Sequence, residues 1–108
     1  MTIPQLTPAE TAARDDLVLV DVREAAERAE VRPPQSLHVP LGEVESKLPQ
    51  LPRDRTVAFV CRSGGRSAMA ARVAAATGLS VANVDGGMLA WEAAGLPTES
   101  GPETTKER

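Results

Sequence analysis

The sequence predicts an α/β fold built on a small, mainly parallel sheet, and three observations predict it. Short apolar runs alternate with helix-prone stretches along the chain. The two strongest runs, residues 17–22 and 56–60, are continuous rather than alternating, the pattern of strands covered on both faces. The chain has 108 residues, 42% of them hydrophobic, which suits one compact domain and is too little for two. With one Trp, one Phe and no Tyr, its core has to be made of Val, Leu and Ala.

Each element has its own local reason. Thr7, Pro8 and Glu10 form a helix start, with Thr7 as N-cap, Pro8 at the first helical position and Glu10 closing a capping box. That helix is predicted to reach Arg14 or Asp15. Residues 17–22 form the first strong strand, broken only by Asp21, and residues 24–29 a short helix. Pro33 and Pro34 stop regular structure, residues 37–39 are a short strand, 41–48 a short helix and 49–54 a loop. Residues 56–60 are the second strong strand. Residues 66–77 are the best helix, Ala-rich, with Met69, Val73 and Ala76 on one side and Gly78 as its stop. Residues 81–84 are a further strand, and Gly86-Gly87 turns the chain into a helix over 88–94 closed by Gly95 and Pro97. Residues 1–97 are thus expected to form the domain, and the polar, aperiodic residues 98–108 a disordered tail.

Composition excludes several classes. A net charge of −3 without a basic cluster argues against a nucleic-acid partner. One cysteine and one histidine, His38, leave no disulfide framework and no clustered metal ligands, so neither a metal nor a cofactor is expected. No stretch approaches the ~20 apolar residues of a membrane span, and the N-terminus has no basic-then-apolar leader. The expectation is a cytoplasmic protein without a membrane partner.

The chemistry gathers at Val60-Cys61-Arg62-Ser63-Gly64-Gly65-Arg66-Ser67. A thiol between a buried strand and a helix N-terminus faces unpaired backbone N–H groups and a partial positive charge, both of which favour thiolate. Gly64 and Gly65 permit tight curvature that turns amides inward. Arg66 offers a fork suited to a multi-oxygen anion, Arg62 suits the rim, and Ser63 can offer a hydroxyl. No acid lies between Thr56 and Asn83, a local reversal of sign in an acidic protein. Asp21 ends the other strong strand, at the same carboxyl edge where open α/β sheets bind ligands. Asp21 is expected to accept from loop backbone or from an arginine, and Arg23 to pair with an acid such as Glu24 or Glu27. Trp91 reads as a packing residue, Gly86 and Gly87 as a turn, and His38 as a surface residue rather than a base.

Three segments, Val20-Asp21-Val22-Arg23-Glu24, the Cys61–Ser67 loop, and Gly86-Gly87-Met88-Leu89-Ala90-Trp91 running to Pro97, resemble the single-domain rhodaneses, a sulfurtransferase family. The resemblance spans residues 17–97. It implies an about five-stranded parallel sheet between helices, and a reaction in which Cys61 takes sulfane sulfur from a small anionic donor such as thiosulfate. The persulfide would pass to cyanide, a thiol or a protein acceptor, with residues 62–66 surrounding it and Asp21, Arg23 and Ser67 in support. The chain departs from the family at residues 29–36, where a Gly-His-Ile-Pro-Gly-type segment is replaced, and at Arg28, near an otherwise aromatic position. A relay or docking module for a protein partner is one alternative. A phosphatase or arsenate reductase is another, disfavoured because their loops are one residue longer than the four residues between Cys61 and Arg66.

Overall fold

The structure is a computed structural model and describes residues 2–103. Its elements are β1 (Gln5–Leu6), α1 (Pro8–Ala12), β2 (Leu17–Asp21), α2 (Ala25–Glu30), β3 (Leu37–His38), α3 (Val44–Lys47), β4 (Thr56–Val60), α4 (Gly65–Ala75), β5 (Val81–Val84) and α5 (Gly87–Ala93). The five strands make one parallel sheet in the order β1-β5-β4-β2-β3. Asp21 pairs in register with Val60, so β2 and β4 end level and release Val22 and Cys61 side by side at the carboxyl edge.

Alternation along β4 sends Val57 and Phe59 into one core and Ala58 and Val60 into the other. The first core joins them to Val20, Val44 of α3 and Ala70, Ala71 and Ala74 of α4; the second gathers Leu19, Val84, Met88 and Trp91 of α5. The sheet is thus covered on both faces, which is why its strands read as continuous apolar runs.

α1 closes at Ala12 rather than at Arg14 or Asp15, and four further details differ from the sequence reading. The edge strand β1 was not legible: its two residues are held by pairing to β5, with Asn83 N–H donating to Pro4 O and Asp85 N–H to Leu6 O, and two residues carry no period. The segment 41–48 is not one helix; 3₁₀ turns at Leu41–Glu43 and Leu48–Gln50 flank α3, the second with Pro49 inside it. In α4 the buried face is Ser67, Ala70, Ala71 and Ala74, while Met69 and Val73 are exposed. Small residues let the helix lie close on the sheet, an advantage that outweighs burying the larger side chains.

The fourth difference concerns the tail. Residues 98–103 are seated rather than disordered: Arg32 and Glu99 exchange both backbone hydrogen bonds at 2.9 Å, and Gly101 N–H donates to Ala29 O at 2.7 Å. Glu103 takes Arg28 Nε and Nη2 at 2.7 and 2.9 Å, and Arg32 Nη1 donates to Gly101 O at 2.8 Å. The cause is charge burial. Arg28 and Arg32 are 2% and 8% exposed, and buried guanidinium groups require acceptors, which the tail supplies. Residues 104–108, also assigned to the tail, lie outside the described residues. No helix among the described residues is long and apolar enough to cross a membrane.

Candidate active site

Cys61 leaves β4 at its carboxyl end and is 1% exposed. The chain then reverses into α4 through Gly64, whose φ of 110° lies in the left-handed region that glycine adopts without strain. That turn aims the Gly64 N–H at the Cys61 sulfur, 3.1 Å away, while the Ser67 hydroxyl donates to it at 3.2 Å. Burial alone would push the thiol up. The Ser67 hydroxyl and the amides of Ser67, Gly64 and Ser63 outweigh it, and the net effect holds Cys61 below the ordinary cysteine value. The arrangement therefore stabilises a thiolate without a neighbouring base.

The second wall is α5. Gly86 and Gly87 both have positive φ, and a Cβ on Gly87 would run into the carbonyl groups of Cys61 and Arg62. The close approach lets Met88 N–H donate to Cys61 O at 2.8 Å and Leu89 N–H to Arg62 O at 3.0 Å. The glycine pair is thus a clamp on the cysteine loop as well as a turn. Beneath the loop, Asn83 Nδ2 donates to Gly64 O at 3.3 Å and to Gln5 Oε1 at 3.0 Å.

The structure brings some of the sequence-predicted residues together and separates others. Ser67, expected only in support, touches the sulfur directly. Ser63 and Gly64 contribute amides, Gly65 opens α4, and Arg62 is exposed at the rim. Arg66 is not an open fork: its Nη1 and Nη2 donate to Glu27 Oε1 and Oε2, each at 2.9 Å. The Arg66 hydrogen bonds pull Glu27 down to about 2 against the opposing effect of burial, with the Glu24 amide assisting.

Arg23 does pair with an acid, but with Asp21 rather than Glu24 or Glu27. Its guanidinium grips the fully buried Asp21, with Nε–Oδ1 at 3.0 Å and Nη2–Oδ2 at 2.9 Å, and Nη2 also donates to Val31 O. The reason is burial: Asp21 is the anion inside the fold, whereas Glu27 is claimed by Arg66. Arg28 Nη1 completes the cluster at 3.2 Å from Asp21 Oδ2. Asp21 and Arg23 therefore brace α2 and the loop after it, and neither touches the Cys61 sulfur. His38 Nε2 donates to Arg23 O at 2.7 Å, and Trp91 is a packing residue whose Nε1 donates to Pro97 O at 2.9 Å.

Glu27, Arg28 and Asn83 were not singled out as site residues by sequence reasoning. Glu27 carried a signal, since it stands three residues after Glu24 and its Oε1 accepts the Glu24 N–H at 2.9 Å, closing the start of α2. Asn83 carried a weaker one, a polar residue within an apolar strand.

Comparison with known proteins bears on the family and the fold. The family model described as Rhodanese-like domain matches residues 7–94. The chain is 41% identical over 80 residues to YtwF of Bacillus subtilis (strain 168), covering 74% of this chain and 78% of YtwF. It is 38% identical over 87 residues to a protein of Allochromatium vinosum named sulfurtransferase, covering 80% and 81%. Among solved structures, a rhodanese-related protein from Thermoplasma volcanium superposes with a TM-score of 0.85 at 29% identity, covering 89% of this chain and 97% of that one. A thiol cradled between a parallel sheet and a helix start, in a chain matched over 7–94, places this protein in the rhodanese-like domain family of sulfurtransferases.

Proposed function

We propose that the protein moves sulfane sulfur through a persulfide on Cys61, taking it from a small anionic donor such as thiosulfate and passing it to a thiol or to cyanide. The Cys61 thiolate attacks the outer sulfur of thiosulfate. A new S–S bond forms on Sγ, the donor S–S bond breaks, and sulfite leaves with the electron pair. The acceptor then attacks the outer sulfur, taking it as thiocyanate or a new persulfide, and the thiolate returns. No proton has to be moved in the first step, so no histidine base is needed.

The observation that carries this reading is the convergence of the Ser67 hydroxyl and the Gly64 amide on a buried sulfur held below the usual thiol range. Donors aimed at the sulfur itself stabilise both the attacking thiolate and the persulfide anion. Mass spectrometry after thiosulfate treatment tests it. One added sulfur on the native protein, removed by cyanide and lacking in Cys61→Ser, is the expected result; no added sulfur on the native protein overturns it.

A further inference from the structure

We propose that Glu27 sets the donor specificity of this site: its carboxylate occupies Arg66 as an internal stand-in for the donor anion and biases the site against small dianions. The inference rests on the reading of Cys61 as the sulfur carrier. Arg66 is the cation that the loop contributes at its helical end, in the first turn of α4 and next in sequence to Ser67, whose hydroxyl donates to the Cys61 sulfur. Its fork is filled by both Glu27 oxygens at 2.9 Å, the strongest geometry open to an arginine. Glu27 also accepts the Glu24 N–H at 2.9 Å, which tethers its carboxylate to the start of α2 even when its hold on Arg66 is broken. The side chains are 36% and 29% exposed, which leaves the pair open to competition from solution.

A dianion approaching Cys61 therefore meets inward amides and an arginine whose charge is already balanced. To use that fork it has to displace Glu27, and the displaced carboxylate remains nearby as a repelling charge. A donor with one negative charge loses less. A thiosulfonate, R–SO₂–S⁻, provides the comparison: the Cys61 thiolate attacks its terminal sulfur, the S–S bond on Cys61 forms, the bond to the sulfonyl sulfur breaks, and the sulfinate R–SO₂⁻ leaves with the electron pair. The chemistry matches that of thiosulfate with one charge fewer. Glu27 acts through Arg66 and touches no reacting atom, so it is a positioning residue.

The test uses the full chain as wild type, Glu27→Gln and the double variant Glu27→Gln/Arg66→Gln. Glutamine keeps an acceptor for the Glu24 amide and removes only the charge. In Glu27→Gln, KM for thiosulfate should fall about tenfold with kcat little changed, KM for benzenethiosulfonate should fall less, and both gains should vanish in the double variant. A second readout is independent of sulfur transfer: the ratio of Cys61 alkylation rates with anionic iodoacetate and neutral iodoacetamide should rise in Glu27→Gln. An unchanged ratio, or equal KM changes for the two donors, overturns the inference. A raised ratio in a protein that loads no sulfur from either donor upholds the charge role of Glu27 and overturns the carrier reading instead.

Discussion

Met88 N–H donates to the carbonyl oxygen of Cys61 at 2.8 Å, which ties the first turn of α5 to the residue that carries the thiol. The bond exists because Gly87, at φ 58°, lets α5 start directly against the loop backbone. Loop and helix are therefore one mechanical unit, although 26 residues of sequence separate them.

Gly87→Ala tests that unit. The added methyl meets two backbone carbonyls that cannot yield without moving the cysteine loop. Gly95→Ala is the comparison, since Gly95 also has a positive φ but has open space where the methyl would stand. The Gly95 change should cost about 1 kcal/mol of backbone strain, and the Gly87 change clearly more, together with loss of sulfur loading. Equal losses in urea unfolding would contradict the clamp.

Ser67→Ala removes the hydroxyl at 3.2 Å from the Cys61 sulfur. A hydrogen bond to a charged group is worth about 1.5–3 kcal/mol. The midpoint of Cys61 alkylation against pH should therefore rise by about one unit or more, with persulfide formation at neutral pH slowed. An unshifted midpoint would show that the backbone amides hold the thiolate unaided.

Asp21→Asn leaves Arg23 and Arg28 buried with their shared carboxylate gone. Removing one partner from a buried ion cluster costs about 3–5 kcal/mol. Denaturant titration should show a loss of that order; a loss under about 1 kcal/mol would mean that the Val31 carbonyl and Glu103 suffice for the two guanidinium groups.

The Glu27–Arg66 pair predicts an acid signature. Glu27 is held at about 2 in the fold against a reference value of 4.5, so the pair stabilises the folded form above the reference value and the contribution fades as pH falls toward about 2. Because both side chains are near one-third exposed, the effect is about 1 kcal/mol or less. Wild type minus Glu27→Gln stability, measured by urea unfolding, should be flat above pH ~5 and decline below it. A difference that grows on acidification would refute the pairing.

Much of the fold and part of the site are legible in the sequence, for identifiable reasons. The double-faced strands 17–22 and 56–60 and the Ala-rich helix after the loop announce themselves by hydrophobic pattern, and Cys61 by its place between strand and glycines. Long-range charge pairing is not legible. Arg66 lies 39 residues from Glu27, and Arg28 lies 75 from Glu103, so neither pair leaves a local pattern. The same blindness turns residues 98–103 into a disordered tail by composition, when their acceptors are what the buried arginines require. β1 escapes because two residues have no period, and its hydrogen bonds come from β5, 78 residues away.

The depth of the one thiol has a consequence for handling the protein. A disulfide between two molecules needs their sulfurs at about 2.05 Å, and a cysteine that is 1% exposed cannot come that close to a twin without its loop being prised open. Because the chain has no other cysteine to cross-link, it should stay unbridged in air, running as a single-chain band on non-reducing gels. An oxidant small enough to enter the cradle meets one thiol there, with no second cysteine in the chain to resolve it into a disulfide.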